Sequence, residues 1–394
     1  MNNPGKEIRS QLSIGHFCFG LDIFKGGVPS GVLLSALQLS KYGIRNQIFS
    51  AGNTKNQIRR NSIHLANLAE VGVDFKYSLA RIQNNYSFGS ARGLSRVLKE
   101  SSKPDFIVLH QVYTLSTLYG YRYAKKYRIP YGVKPHGSLT RYHESDSKLI
   151  KMIAKKLIIS KILREANVII VTCDSEIDDL NISLQPKAYK LLYGANIYDR
   201  VGQINLPATR VSNGLRIMFS GRFDKKKNLP LLLKSMSQIL TKYPDLILDI
   251  AGSGTPKEIE NLRTIVQTLG LEKNIKFHGW IDRTKMNELF SSTRLLVLPS
   301  ENENFALVVA EALSAGVPCV VSKFVGTSDI VAKHHAGEII DELTPESVAA
   351  GVIKVLEGDE NAYKAAALQA TCEDLDWSKI ALRWKALISS LAVE

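Results

Sequence analysis

The stretch LLVLPSENENFALVVAEALSAGVPCVVSKF, residues 295–324, decides how the rest of the chain is read. A short apolar run, LLVL, ends in the polar loop PSENEN. FALVVAEALSAG then spaces its apolar residues as a helix does and stops at Gly316, with Pro318 just beyond. PCVVS, residues 318–322, opens a second apolar run. Strand, loop, helix and strand in one stretch predict a parallel α/β sheet. Two carboxylates are set into it, Glu303 before the helical run and Glu311 inside it. A helix that only packs has no need of the pair.

The same alternation runs through the chain. In the second half the apolar runs are LRIMF (215–219), LILDIAG (246–252), IKFHG (275–279), RLLVLPS (294–300) and PCVVS. In the first half they are QIFS (47–50), DFIVLH (105–110), YGVK (131–134) and NVIIVT (167–172). Helical patterns separate them, so two doubly wound parallel domains are expected. YGANIYDRVGQINLPATRVSNG, residues 193–214, mixes Gly, Asn and Pro without periodicity and reads as the linker. The boundary is placed at Ala208, giving domains 1–207 and 208–375.

Composition excludes several classes. With 394 residues, 45% hydrophobic and 22% charged, the chain is neither fibrous nor disordered. No run approaches the roughly 18 apolar residues of a membrane span, and the leading residues hold no apolar leader segment. The cysteines, Cys18, Cys173, Cys319 and Cys372, form no C-x-x-C pair, so neither a disulfide framework nor a zinc site is expected. A reducing cytoplasm fits. The net charge of +14 is uneven: residues 1–200 carry 29 Lys and Arg against 14 Asp and Glu, the remainder 22 against 23. The first half is therefore expected to meet an anionic surface or ligand.

Doubly wound sheets bind ligands at the carboxyl ends of their strands. After LRIMF comes SGRFDKKKNLPLLL, with Arg222 and Lys227 just before a helix that begins near Leu229 with Pro230 in its first turn. Such a loop is either a solvated basic segment or an anion site, and its place at a strand's carboxyl end favours a diphosphate. Glu303 and Glu311 read either as a capping residue plus a solvated face or as acceptors for hydroxyls. As acceptors they suit a ribose and a hexose on either side of that diphosphate. The N–H groups of Phe305, Ala306 and Leu307 are expected to point toward the phosphate.

Glu303-x7-Glu311, with GRFDKKKN upstream, resembles the donor half of the retaining GT-B glycosyltransferases of family 4. AGSGTPKEIENL (251–262), IKFHGWIDRTKMNELF (275–290), PHGSL (135–139) and YGANI (193–197) follow in that family's order. The resemblance implies two Rossmann-like domains facing a central cleft, with the closing segment 376–394 a helix that crosses back to the first domain. Hinges are then expected near 194–212 and near 375.

It also implies transfer of a sugar, with retention, from a UDP- or GDP-sugar to a glycan or lipid-linked acceptor, without cofactor or metal. Arg222 and Lys227 resemble the diphosphate clamp, Glu311 the ribose holder and Glu303 the carboxylate beside the donor sugar. Asn304, Phe305, Ala306 and Leu307 complete that pocket. Gly279, Trp280 and Ile281, in GWID, match the loop that cups the base. Gly26 and Gly27, in KGGVPSGV, resemble a glycine loop facing the diphosphate, and His136 a residue near the transferred sugar.

Three positions depart from the family pattern: Asn304 and Ala306 stand where glycines flank the aromatic residue, and Asn228 where glycine often follows the lysine. The Ala306 methyl is expected to narrow the sugar pocket. DSE, residues 174–176, reads as a helix cap rather than a metal motif. SKLIKMIAKKLIISKILREA, residues 147–166, places Lys148, Lys151 and Lys155 on one stripe. That pattern suits either a core helix with a solvated basic face or a helix lying peripherally on an anionic membrane. Surface polysaccharide or glycolipid synthesis is the expected setting. Two other classes fit parts of the sequence: another GT-B enzyme such as a nucleotide-sugar epimerase, and a basic protein binding nucleic acid. No nucleic-acid motif accompanies the charge, so nucleic acid is not an expected partner.

Overall fold

The computed structural model describes residues 11–22, 27–79, 92–139, 158–195 and 214–391. The chain divides into two compact units, Met1–Leu191 with Trp377–Glu394, and Leu192–Asp376. The sequence boundary at Ala208 and most of the linker lie outside the described residues. So do Gly26 and the lysines 148, 151 and 155.

The first unit is a seven-stranded parallel sheet. Its strands are β1 (Ser13–Phe19), β2 (Arg45–Asn53), β3 (Asp74–Leu79), β4 (Phe106–His110), β5 (Tyr131–Lys134), β6 (Val168–Val171) and β7 (Ala188–Lys190), in the order β3-β2-β1-β4-β5-β6-β7. The order reverses between β1 and β4, which makes the carboxyl ends of these two strands the topological switch point. Phe17, Phe49, Ile107, Leu109 and Val133 form a core buried on one face, closed by Tyr123 of the helix Leu115–Tyr127. That helix sits tight on the sheet because Gly120 lacks a side chain: a methyl there would fall 2.4 Å from Leu109 Cδ2. The closing helix Trp377–Leu391 belongs to this unit and packs beside the helix Gly27–Lys41. It buries Trp377, Ile380, Ala381, Trp384, Leu387 and Ile388, a stripe at helical spacing.

The second unit has six parallel strands, β8 (Arg216–Ser220), β9 (Ile247–Ala251), β10 (Ile275–Gly279), β11 (Leu295–Leu298), β12 (Cys319–Ser322) and β13 (Gly337–Ile340). Their order, β10-β9-β8-β11-β12-β13, puts the switch point between β8 and β11. Met218, Leu248, Leu296 and Val320 are fully buried, as runs covered by helices on both faces should be. Both units are thus Rossmann-like. The described strands match every run read from the sequence to within two residues at their ends, except that β2 runs three residues past QIFS, and they add β1, β3, β7 and β13.

Candidate functional site

At the carboxyl edge of the second unit a ladder of backbone hydrogen bonds joins the loops. Gly252 N–H donates to Gly279 O (2.7 Å), Gly221 N–H to Ala251 O (3.0 Å) and Phe223 N–H to Ser253 O (2.9 Å). Across the switch point, Glu301 N–H donates to Lys226 O at 2.7 Å. Glu303 is held from the other side, its N–H donating to Phe324 O (3.0 Å) and its carbonyl accepting from Gly326 N–H (2.7 Å). Five loops therefore form one rigid rim, and the side chains on it are placed by backbone geometry.

Arg222 and Lys227 stand on the β8 side of that rim and Glu303 on the β11 side. Lys227 Nζ lies 2.5 Å from Glu303 Oε2, with the lysine side chain 12% and the glutamate 25% exposed. Gly221 makes room for the lysine, since a methyl there would lie 3.3 Å from Lys227 Cε. Asp224, which sequence reasoning passed over, organises both cations. Its Oδ2 lies 2.7 Å from Arg222 NH2, and its Oδ1 accepts from Lys227 N–H at 3.3 Å. A D-x-x-K turn before a helix is the signal that marks it. The helix Leu229–Lys242 then begins with Pro230 in its first turn, behind Asn228 at φ +52°.

The helix after Glu303 begins at Leu307, not at Phe305. Ala306 holds φ +59° and is its N-cap, so Phe305 and Ala306 precede the first turn and Glu311 sits just over one turn in. In that turn Val309 N–H donates to Ala306 O at 2.9 Å, while the N–H groups of Leu307 and Val308 come too early for a partner in the i−4 ladder of the helix. Phe305 is buried and packs edge-on against Tyr193, ring centroids 5.4 Å apart. Glu311 is exposed along one flank, yet the surrounding protein desolvates its carboxyl enough to raise its pKa, an effect Arg283 opposes. Gly279 takes φ +68°, and Trp280 beyond it is 50% exposed with Ile281 half-buried. Asn304 lies half-buried between Glu303 and Phe305.

Left-handed backbone at Ala306 costs about 1–2 kcal/mol. Replacing it by glycine removes that strain but forfeits a buried methyl, about 0.8 kcal/mol, and restores unfolded-state freedom, about 0.4–1 kcal/mol. The terms nearly cancel. Ala306→Gly is expected to move Tm by less than about 2 °C in a calorimetric scan.

The first unit's carboxyl edge carries the other predicted residues. Gly27 opens the helix Gly27–Lys41 that follows β1, and a methyl there would meet no protein atom within 4 Å. His136 follows β5 with φ +53°, and Gln111 follows β4 with φ +68°. His136 Nε2 lies 2.9 Å from His110 Nδ1, His110 Nε2 lies 3.0 Å from His16 Nδ1, and His16 Nε2 lies 2.9 Å from Asn46 Oδ1. None of the last three residues was singled out from the sequence. The turn after His136 is pinned from behind by Glu176, which accepts from Gly137 N–H (3.0 Å), Thr172 N–H (2.7 Å) and Thr172 Oγ1 (2.8 Å). DSE is the first turn of the helix Asp174–Asp178 rather than its cap: the N-cap is Cys173, which makes no side-chain cap bond, while Glu176 reaches back to Thr172 and Asp174 pairs with Lys190 at 2.7 Å.

Burial lowers the pKa of His16 to about 4; its hydrogen bond to Asn46 opposes the shift and Lys134 adds to it. His110 is lowered by burial, then by His136, His16 and Lys134, and His136 by burial and then by Lys134. Lys134 itself is lowered to about 7 by burial, against the pull of Glu176. Among the described residues no three His, Cys, Asp or Glu side chains are grouped to hold a metal ion, and no helix is long and apolar enough to cross a membrane.

Two Rossmann-like units, the second with a cationic loop and two carboxylates at its switch point, define the GT-B glycosyltransferase architecture. Residues 25–186 match the family described as Glycosyltransferase Family 4, and residues 208–369 that described as Glycosyl transferases group 1. The chain belongs to this group of glycosyltransferases. It is 24% identical over 356 residues to the D-inositol 3-phosphate glycosyltransferase of Corynebacterium glutamicum, covering 85% of this chain and 84% of that protein. With an uncharacterized glycosyltransferase of Methanocaldococcus jannaschii the identity is 33% over 140 residues, 36% of this chain and 35% of that one. The chain thus spans about a third of the length of that relative. Among solved structures, Anabaena Alr3699/HepE in complex with UDP and glucose superposes with a TM-score of 0.72 at 17% identity, covering 96% of this chain and 100% of that one. That likeness shows the fold.

Proposed function

We propose that the protein transfers a sugar from a UDP- or GDP-sugar to a glycan or lipid-linked acceptor, retaining the anomeric configuration, in glycolipid or surface-polysaccharide synthesis. The observation that carries this reading is the second unit's switch point, where Arg222 and Lys227, organised by Asp224, stand beside a helix N-terminus and two carboxylates. A departing nucleoside diphosphate gains one negative charge as its bond to the sugar breaks, and these cations with the helix end suit that charge without a metal. Glu303 then accepts from donor-sugar hydroxyls and Glu311 from the ribose. Trp280, half exposed beside Gly279, offers a face to the base. A lipid-linked acceptor is in keeping with the name of one relative: a phosphatidyl-myo-inositol mannosyltransferase of Mycolicibacterium smegmatis is 26% identical over 170 residues, 42% of this chain and 43% of that protein.

Calorimetry with UDP, GDP, ADP and CMP, with and without EDTA, tests the reading. One nucleoside diphosphate is expected to bind at micromolar Kd, unchanged by EDTA, and Glu311→Ala to weaken it about tenfold or more by removing the ribose acceptor. Absence of binding by all four would overturn the reading. A Glu311→Ala protein that binds as wild type would move the ribose elsewhere. In Ala306→Gly, whose stability is nearly unchanged, a wider range of accepted donor sugars is expected.

A further inference from the structure

A carboxylate in the middle of a core strand calls for a reason, because a buried charge is costly unless its partners are in place. Asp249, on β9, is fully buried, and its partners come from the strands on either side. Arg216, on β8, reaches it with both prongs of its guanidinium: Nε donates to Oδ2 at 2.8 Å and NH2 to Oδ1. His278, on β10, brings Nε2 to 2.6 Å from the same Oδ1. A carboxylate paired with a guanidinium only accepts, so His278 Nε2 is the donor. None of the three residues was singled out from the sequence, and none belongs to the cationic loop or the carboxylate pair of the candidate site.

His278 is also where β10 slips in register. Phe277 pairs with Ile250 and Gly279 with Ala251, so His278 is an extra residue without a partner of its own on β9. Successive side chains of a strand alternate between faces, and one inserted residue moves every later side chain to the opposite face. The slip therefore decides which face the segment after Gly279 takes, Trp280 and Ile281 included. Among the described strands β10 is an edge, with no neighbour on its outer side to hold such an insertion. Two bonds hold it instead, the one from His278 to Asp249 and the one from Gly252 N–H to Gly279 O at 2.7 Å. Arg216, by gripping both oxygens of Asp249, keeps one of them turned toward β10.

We propose that Arg216, Asp249 and His278 are positioning residues that fix the slip in β10, and so set the face on which the Gly279–Ile281 loop meets the nucleobase; through it they govern which base is accepted. The proposal takes its ligand from the reading of this chain as a nucleotide-sugar transferase, whereas the positioning of the loop stands without that reading. A tie that merely joins strands has no need to be here. β8 and β9 pair without interruption from Arg216 to Ser220, so no ion pair is required to hold them together. The break in the pairing of β9 with β10 lies at His278, one residue before the loop, and that is where the tie ends.

The test removes the charges without leaving one buried alone. Arg216→Met combined with Asp249→Leu puts apolar side chains of similar size in place of the pair, an exchange that often keeps or raises stability, and it leaves residues 278–281 as they are. Calorimetry supplies Kd values for UDP, GDP, ADP and inorganic pyrophosphate, the last of which has no base. The double variant should bind pyrophosphate within about twofold of wild type, while the ratio of affinities between the best and the next-best nucleoside diphosphate falls about tenfold or more. The indole 1H–15N signal of Trp280, assigned with Trp280→Phe, should shift or split as the loop takes both registers. His278→Leu should lose the discrimination as well, and His278→Gln, whose amide can donate to Asp249, should keep it. Unchanged discrimination in the double variant would refute the proposal, as would an equal loss of pyrophosphate binding, the mark of a tie that only holds the unit together. Should the double variant fail to fold, His278→Leu and His278→Gln make the same comparison from the partly exposed end of the tie, where the histidine side chain is 21% exposed. A shifted Trp280 signal in a double variant of a protein that binds no nucleoside diphosphate would instead overturn the functional reading and leave the positioning role standing.

Discussion

Lys227→Ala will lower kcat/KM for the nucleotide-sugar donor by on the order of 10²–10³, while Tm falls by no more than about 4 °C. The rate loss follows from removing a preorganised positive charge where the departing diphosphate gains its negative charge, a contribution worth about 3–4 kcal/mol in comparable sites. The stability change is small because the pair with Glu303 is partly open to water, 12% and 25% exposed, and such pairs contribute about 1 kcal/mol or less. Glu303→Gln separates the two halves of the argument. It removes the anion that Lys227 now neutralises, so a nucleoside diphosphate should bind a few-fold tighter, yet transfer should slow because the neutral amide accepts weaker hydrogen bonds from the sugar. Titration calorimetry for the diphosphate and initial rates for transfer measure the two separately. If Lys227→Ala kept its rate, the diphosphate would have to sit away from the β8 loop, and the assignment of that loop would fall.

Much of this site was legible because its parts are local. Arg222, Lys227, Glu303 and Glu311 stand in loops and helix starts that follow apolar runs, and the sheet topology puts those loops at one edge whatever the side chains are. Asp224 was not legible because its job, bracing two cations, is a matter of side-chain direction. The start of the helix at Leu307 was misjudged by two residues, since Phe-Ala reads as helix and only the positive φ of Ala306 reveals the break. The hydrogen-bonded row of histidines was missed for a deeper reason. β1, SIGHFCF, has a glycine and a histidine in mid-strand, which break the apolar run that signals a strand. Both have structural causes invisible in one dimension: a methyl at Gly15 would lie 2.8 Å from Pro104 Cγ, and His16 finds partners 30 and 94 residues away. Polar residues in a core strand are recognised only once the chain has folded their partners against them.

Gly252→Ala tests whether the rim positions the cations or merely lies near them. Gly252 directly follows β9 with φ +142°, and a methyl built there would fall 1.8 Å from Gly221 O. The carbonyl and methyl cannot coexist, so the Gly221–Phe223 segment must shift, carrying Arg222 with it and straining the bonds from Gly221 to Ala251 and from Phe223 to Ser253. Overpacking of this kind costs about 1–3 kcal/mol and the backbone strain about as much again, so Tm should drop by about 6–12 °C. Loss of stability alone would not distinguish a positioning role. Gly337→Ala supplies the comparison: with φ +144° and a methyl 1.9 Å from Cys319 O, it carries the same kind of clash between β12 and β13. Both variants should melt early. At a temperature where both remain folded, Gly252→Ala should bind a nucleoside diphosphate at least tenfold more weakly than Gly337→Ala does, because only its clash displaces Arg222. Equal affinity in the two would mean that the cations reach the diphosphate from side-chain freedom rather than from the rim.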